Sequence, residues 1–397
     1  MRIALVCEHV ELRRGGAEAS TLQFARHLLD HGIDVELVTR SAPPPCPGLR
    51  VHVLKERRAL RGLRSAAFAR AADDLIARLQ PDVVHGVTLC LSADVYEPRG
   101  GALPESVARN VALRLTAPGR VLKRATNWFD LKQRSMLALE HRLMTGRRPP
   151  RLVAISDYVA RQFVHHYGLS PAAVFKSFNG VDPPAIDERQ RQQWRRELRR
   201  SLAVDDGEPL VLLVAHNFKL KGVANWLRAM AALEQPLRSV IVGRDHSEPY
   251  ERLAERLGVS RRVTFAGNQS AMEPYYSAAD LLVHPTYYDP CSRVVLEALL
   301  WGLPCVTTRF NGAAEVLEDG ITGRVIADPD DTAALAAAAA EASAASYRQA
   351  LAERQPRLRH DLSAARHAAE VIRLYESVAR ERMAGKAEHG QAAPCAG

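Results

Sequence analysis

The stretch YDPCSRVVLEALLWGLPCVTT, residues 288–308, opens on an acid–proline turn and runs into an apolar helix. Gly302, Leu303 and Pro304 then stop the helix, and a β-branched strand follows. One carboxylate, Glu297, stands among Val294, Val295, Leu296, Ala298, Leu299, Leu300 and Trp301, eight residues after Asp289. Ser292 suits the cap of a helix that begins at 292 or 293. The N–H groups of Cys291, Ser292 and Arg293 are then left at a helix start that follows a strand, where parallel α/β sheets hold phosphates. Glu297, one turn further on, could accept hydrogen bonds from a ribose diol. It could equally pair with Arg293, four residues before it.

Outward from this stretch the same rhythm repeats. EPLVLLVAHN (208–217) reads as a buried strand, KGVANWLRAMAAL (221–233) as a helix, and RSVIVG (238–243) as a strand. Helix 247–258, strand RVTFAG (262–267), helix 272–279 and strand DLLVHPT (280–286) follow. The first half runs RIALVC (2–7), a helix near 16–31, IDVELVT (33–39), a helix over 64–80, PDVVHGV (81–87), RLVAISD (151–157) and a helix over 158–167. This is the alternation of an α/β chain with two doubly wound parallel sheets in tandem. The turn-rich SFNGVDPP (177–184) and the polar helix 187–202 lie at the break, giving domains 1–170 and 171–362. A final helix over 363–383 suits packing back on the first domain, and 384–397 reads as a polar, disordered tail.

A chain of 397 residues, 47% hydrophobic, can fill two cores. It lacks an 18-residue apolar run, and its first residues lack a signal-peptide profile. Six scattered cysteines without a C-x-x-C pair suit reduced thiols in a cytosol. The net charge of +9 is concentrated: residues 99–151 hold twelve Lys/Arg against three acids. Trp128 and Phe129 lie among Arg120, Lys123, Arg124 and Lys132, which suits a helix on an anionic lipid surface. No nucleic-acid-reading motif accompanies the charge.

Several strand ends could serve one site. Lys219 and Lys221 follow strand 208–217, where an ammonium can neutralise a leaving diphosphate. Gly243 and Arg244 end another strand, and Asn268 follows FAG (265–267). Gly15 and Gly16 open the first helix, without forming a dinucleotide fingerprint. Asp328 and Asp330 give a D-x-D, but they precede an Ala-rich helix as capping residues do, so no metal site is expected.

DPCSRVVLEALLWGLPCVTT resembles the E-x7-E region of the family 4 retaining glycosyltransferases, whose GT-B fold has two facing Rossmann-like domains. FNGVD (178–182), FKLKG, VGRD, FAGN and AADLLVHP follow in that family's order. ADVYEPRGG (93–101), KRATNWFDLKQR (123–134) and HNFKLKG are most similar to its lipopolysaccharide-core glucosyltransferases. The resemblance implies that Glu297 binds the nucleotide ribose and that Asp289, one methylene shorter than the usual Glu, lies near the donor sugar. It implies that amides at Cys291, Ser292 and Arg293, with Lys221 and Lys219, hold the diphosphate, and that Gly15 and Gly16 leave room for it. Gly243, Arg244 and Asn268 join the nucleotide-sugar set. Glu97 and Arg99 stand where many relatives carry a histidine, and they join Asp289 and Lys221 as catalytic candidates.

The implied activity is transfer of a hexose from a UDP-sugar, UDP-glucose first, to a lipid-linked or core-oligosaccharide acceptor. It would proceed with retention and without a metal or cofactor, on the cytoplasmic face of the membrane. Arg120, Lys123, Arg124, Trp128 and Lys132 would face membrane or acceptor. Two other readings stay open: an epimerase or hydrolase of UDP-N-acetylhexosamine, which turns over without acceptor, and a non-catalytic binding protein of the same fold.

Overall fold

The computed structural model describes residues 1–10, 16–55, 61–114, 116–182, 185, 187–205, 207–234 and 237–391. The chain divides into two compact units, Met1–Gly180 with the carboxyl-terminal helix, and Val181–Ser363.

The first unit runs β1 (Arg2–Val6), α1 (Gly16–Asp30), β2 (Asp34–Thr39), β3 (Arg50–Val53), α2 (Arg64–Leu79), β4 (Val83–Gly86) and β5 (Val95–Tyr96). It continues with α3 (Leu103–Ala112), α4 (Ala117–Phe129), α5 (Leu131–Thr145), β6 (Arg151–Ala154), α6 (Asp157–Tyr167) and β7 (Val174–Lys176). Its seven strands are all parallel, in the order β3-β2-β1-β4-β5-β6-β7. Ile3, Ala4, Leu5 and Val6 are all completely buried, which is why β1 reads as an unbroken apolar run rather than an alternating one.

The second unit begins with α7 (Glu188–Ser201), β8 (Leu210–Val214), α8 (Val223–Ala231), β9 (Arg238–Val242), α9 (Glu248–Arg256), β10 (Val263–Gly267) and α10 (Glu273–Ala278). Then come β11 (Leu281–His284), α11 (Arg293–Leu300), β12 (Cys305–Thr308), β13 (Gly323–Ile326), α12 (Thr332–Ala342) and α13 (Ala345–Asp361). The order β10-β9-β8-β11-β12-β13, again all parallel, reverses direction between β8 and β11. At such a reversal the loops leaving the two strands diverge and open a crevice at their carboxyl ends. Arg199 and Arg195 anchor α7 by pairing with Asp280 at 3.0 and 2.7 Å, and Asp280 also accepts the Leu210 amide at 2.9 Å.

The last helix, α14 (Ala364–Gln391), belongs to the first unit. Ala368, Val371, Leu374, Tyr375 and Val378 share a core with Phe24, Ala25 and Leu28 of α1. The sequence places a disordered tail from residue 384; the helix instead continues to Gln391, through a run rich in the helix formers Ala, Lys, Glu and Gln. The unit boundary falls at Gly180, ten residues beyond the expected 170, because β7 completes the first sheet. Among the described residues no helix is long and apolar enough to cross a membrane.

Candidate functional site

The loops leaving β8 and β11 are docked on each other. Tyr287 donates its amide to Leu220 O at 3.0 Å, and Lys221 donates its own to Asn217 O at 3.0 Å. The next residue, Gly222, has φ +69°, and a Cβ there would lie 2.2 Å from Pro285 O. Only glycine permits that approach. Gly243 is equally constrained, since an added Cβ would meet Ala215 O at 1.7 Å. These contacts fix where Lys221 begins.

From there the Lys221 ammonium reaches Asp289 Oδ2 at 2.6 Å. The Asp289 backbone is tied to the loop after β12, donating to Phe310 O at 2.9 Å and accepting from Gly312 at 2.9 Å. His284, the last residue of β11 and 1% exposed, brings Nε2 to 3.3 Å from both Asp289 Oδ2 and Ser292 Oγ. Burial alone would raise the Asp289 pKa, but the Lys221 charge and the His284 hydrogen bond hold it well below the usual carboxylate range. Burial pushes His284 down, against the pull of Asp289. The site therefore holds a carboxylate, an ammonium and a neutral imidazole within one small volume.

Helix α11 begins beside this cluster with Ser292 at its cap position, and the serine side chain caps no backbone N–H. Of the three amides expected to await a phosphate, that of Ser292 already donates to Asn311 Oδ1 at 3.1 Å. Asn311 thus finishes the helix start in place of a ligand, which corrects the expectation for this amide. One turn on, Glu297 accepts from Tyr276 O–H at 2.9 Å and faces Arg293 at 3.4 Å. The expected Arg293 partnership is real, yet 28% of the Glu297 side chain stays exposed. Tyr276 is held in place by stacking on Trp301, ring centroids 6.0 Å apart.

Lys219 and Arg244 are exposed near the ends of β8 and β9, and Asn268 is exposed just after β10. Asp245, which sequence reasoning passed over, accepts the Phe218 amide at 2.7 Å and so joins the loops after β8 and β9. Asn311 and His284 were passed over too. His284 had a signal, a polar residue ending the apolar run DLLVHPT, whereas Asn311 reaches α11 only through the register of β12. The D-x-D acids act structurally: Asp328 accepts the Asp330 amide at 2.9 Å, and Asp330 accepts from Asn225 at 3.1 Å. Neighbouring Asp331 is the actual cap of α12.

In the first unit, Gly16 is the first residue of α1, and Gly15 lies outside the described residues. Glu97 has no exposed surface. It binds Arg99 at 2.6 Å and faces His367 at 3.3 Å and His85 at 3.5 Å. Arg99 in turn donates to Ser20 at 2.8 Å and Thr21 at 3.1 Å, and lies over the Phe24 ring. Glu97 is thus held inside the first unit and fixes Arg99, whose guanidinium ties the end of β5 to α1. Burial would raise Glu97, but Arg99, His367 and His85 hold it well below its ordinary range. Burial pushes His85 down to about 4.

Comparison with known proteins places these two units. The description "Glycosyltransferase Family 4" matches residues 14–184, and "Glycosyl transferases group 1" matches residues 195–357. The lipopolysaccharide glucosyltransferase WaaG of Escherichia coli (strain K12) is 27% identical over 333 residues, covering 82% of this chain and 86% of that protein. A D-inositol 3-phosphate glycosyltransferase of Mycolicibacterium paratuberculosis is 29% identical over 369 residues, 85% of this chain and 81% of that protein. The crystal structure of WaaG superposes with TM-score 0.70 at 25% identity, covering 96% of this chain and 98% of that one. An Anabaena protein, Alr3699/HepE in complex with UDP-glucose, shares the fold at TM-score 0.69 and 17% identity, covering 95% and 100%. The chain belongs to the glycosyltransferases built from a family 4 domain and a group 1 domain in the GT-B fold.

Proposed function

We propose that this glycosyltransferase moves a hexose, glucose first among candidates, from a UDP-sugar to a lipopolysaccharide-core or other lipid-linked glycan, with retention at the anomeric carbon. The observation that carries the reading is the Lys221–Asp289 pair at the start of α11, at the sheet reversal of the group 1 domain. A departing diphosphate gathers negative charge as the sugar bond breaks. Lys221 and the positive end of α11 would stabilise that charge, the task a metal performs elsewhere, so no metal is required. Glu297 would take the ribose hydroxyls and Asp289 a hydroxyl of the sugar. Gly243, Arg244, Asn268, Lys219, Cys291 and Arg293 complete the proposed donor site. The similarity to WaaG supports glucose and a lipopolysaccharide acceptor.

The acceptor side is proposed to work at the cytoplasmic membrane face. Trp128 is 67% and Phe129 81% exposed, and Val121, Leu122 and Leu131 are exposed too, beside Arg120, Lys123, Arg124 and Lys132. Apolar side chains in water next to cations suit insertion among anionic headgroups.

The test is turnover of UDP-glucose with EDTA present, with and without lipopolysaccharide core oligosaccharide, reading the anomeric configuration of the product by NMR. An α-linked product that needs the acceptor and survives EDTA is expected. Release of sugar at the same rate without acceptor would favour a hydrolase or epimerase, and an inverted product would overturn retention.

A further inference from the structure

His284 is a buried polar residue that the proposed chemistry leaves without a task. Its Nε2 has two neighbours at 3.3 Å, Asp289 Oδ2 and Ser292 Oγ, while its Nδ1 is buried with no hydrogen-bond partner. A neutral imidazole carries one proton, so the two nitrogens cannot both donate. A proton on Nδ1 would leave that donor buried and unsatisfied, and would set the Nε2 lone pair against a carboxylate oxygen. A proton on Nε2 removes the clash with the carboxylate and leaves at Nδ1 only an unfilled acceptor: the N–H faces Asp289, with Ser292 Oγ as a second acceptor. The serine oxygen then faces the imidazole N–H rather than a backbone N–H of α11, in keeping with a side chain that caps nothing.

The consequence lies on Asp289. Lys221 and His284 both engage Oδ2, at 2.6 and 3.3 Å, and among the described residues Oδ1 has no partner. We infer that His284 is a positioning residue of the donor site: as the Nε2–H tautomer it fixes Asp289 by one oxygen, leaves the other for a hydroxyl of the donor sugar, and ties that carboxylate to the first turn of α11 through Ser292. This deepens the glycosyl-transfer reading and rests on it. It also says how an aspartate serves here: its short side chain is steadied by two partners rather than left to swing.

Two variants and one spectrum test it. His284→Leu removes the N–H while keeping apolar bulk, and His284→Gln restores an N–H at similar reach. Losing a hydrogen bond to a carboxylate should weaken UDP-glucose binding by about tenfold or more while leaving UDP within about twofold, with Gln recovering most of the loss. The 15N spectrum of the wild-type ring should show the Nε2–H tautomer, with Nδ1 unprotonated. An Nδ1–H ring, an unchanged UDP-glucose affinity in His284→Leu, or equal losses for UDP and UDP-glucose would overturn the inference alone. If His284→Leu fails to fold, the spectrum and His284→Gln still decide it, wild-type affinity in Gln being the supporting result. A wild-type protein that binds neither nucleotide would overturn the transfer reading and this inference with it.

Discussion

Lys221 and Asp289 are partly withdrawn from water, with 18% and 15% of their side chains exposed, and each is the other's nearest charge. A diphosphate arriving at the start of α11 would give Lys221 a second anion to share. Because charge on the leaving group grows toward the transition state, the ammonium contributes more there than in the ground state. Lys221→Ala should therefore lower kcat by about 10²–10³-fold, as loss of a single oxyanion donor does. Initial rates at saturating donor measure this, and an unchanged kcat would remove Lys221 from leaving-group stabilisation. At this scale the sequence was informative where chemistry follows from chain position. Asp289, Glu297 and Lys221 could be picked out because each stands at a strand end or helix start. Their partners could not be. Asn311 meets Ser292 across 19 residues, through the parallel pairing of β11 and β12. The burial of Glu97 was hidden because it follows β5, a strand only two residues long that gives no periodic signal.

Helix α4 is the element whose surface departs furthest from a solvated norm. Thr116 caps it by accepting the Gly119 amide, and a proline stands in its first turn, so it is well started. Yet Trp128 and Phe129 at its far end are left in water, Trp128 lying beneath the Arg134 guanidinium. Replacing both, as Trp128→Ser with Phe129→Ser, removes little packing and should leave the melting temperature nearly unchanged. Binding to vesicles containing anionic lipid should fall by at least about tenfold, since each aromatic contributes about 1.5–3 kcal/mol when fully buried. Co-sedimentation at low and high salt checks this, and full binding by the double variant would place the membrane contact elsewhere. The basic charge of this segment was legible from composition, but its helices α3 and α5 and the strand β3 were not read from the sequence, whereas the long strands and most helices elsewhere were. The short strands β5 and β7 and the end of α14 were not. Two or three residues carry no alternation, and helix-forming polar residues look alike in a tail and in a helix.

The whole molecule holds several ionisable groups away from water, so its stability depends on pH. His85, pushed down to about 4 by burial, stays neutral in the folded protein, while the unfolded residue takes up a proton near 6.5. The unfolded state therefore binds more protons between these values, and stability should fall as pH drops from about 6.5 toward 4. His284 acts in the same sense. Glu97 and Asp289 are held below their ordinary range, so they add a further loss once pH passes below about 4.5, where unfolded carboxylates protonate. Melting curves by circular dichroism from pH 7 to 4 should show this decline, with a shallower slope for His85→Gln. A flat profile would mean that His85 is not buried as a neutral ring. The two-sheet architecture was readable from the repeated strand–helix alternation, because parallel strands are buried on both faces and stand out as apolar runs.

The central claim is that the group 1 domain grips a uridine nucleotide through Glu297 at the start of α11. Calorimetric titration of UDP into wild type and Glu297→Ala, without added metal, tests it directly. Saturable binding in the wild type, weakened in the variant by about 10- to 100-fold as expected for hydrogen bonds to a charged group, is the predicted result. Equal affinity in the two proteins would contradict the assignment of Glu297, and no binding in either would contradict the nucleotide site itself.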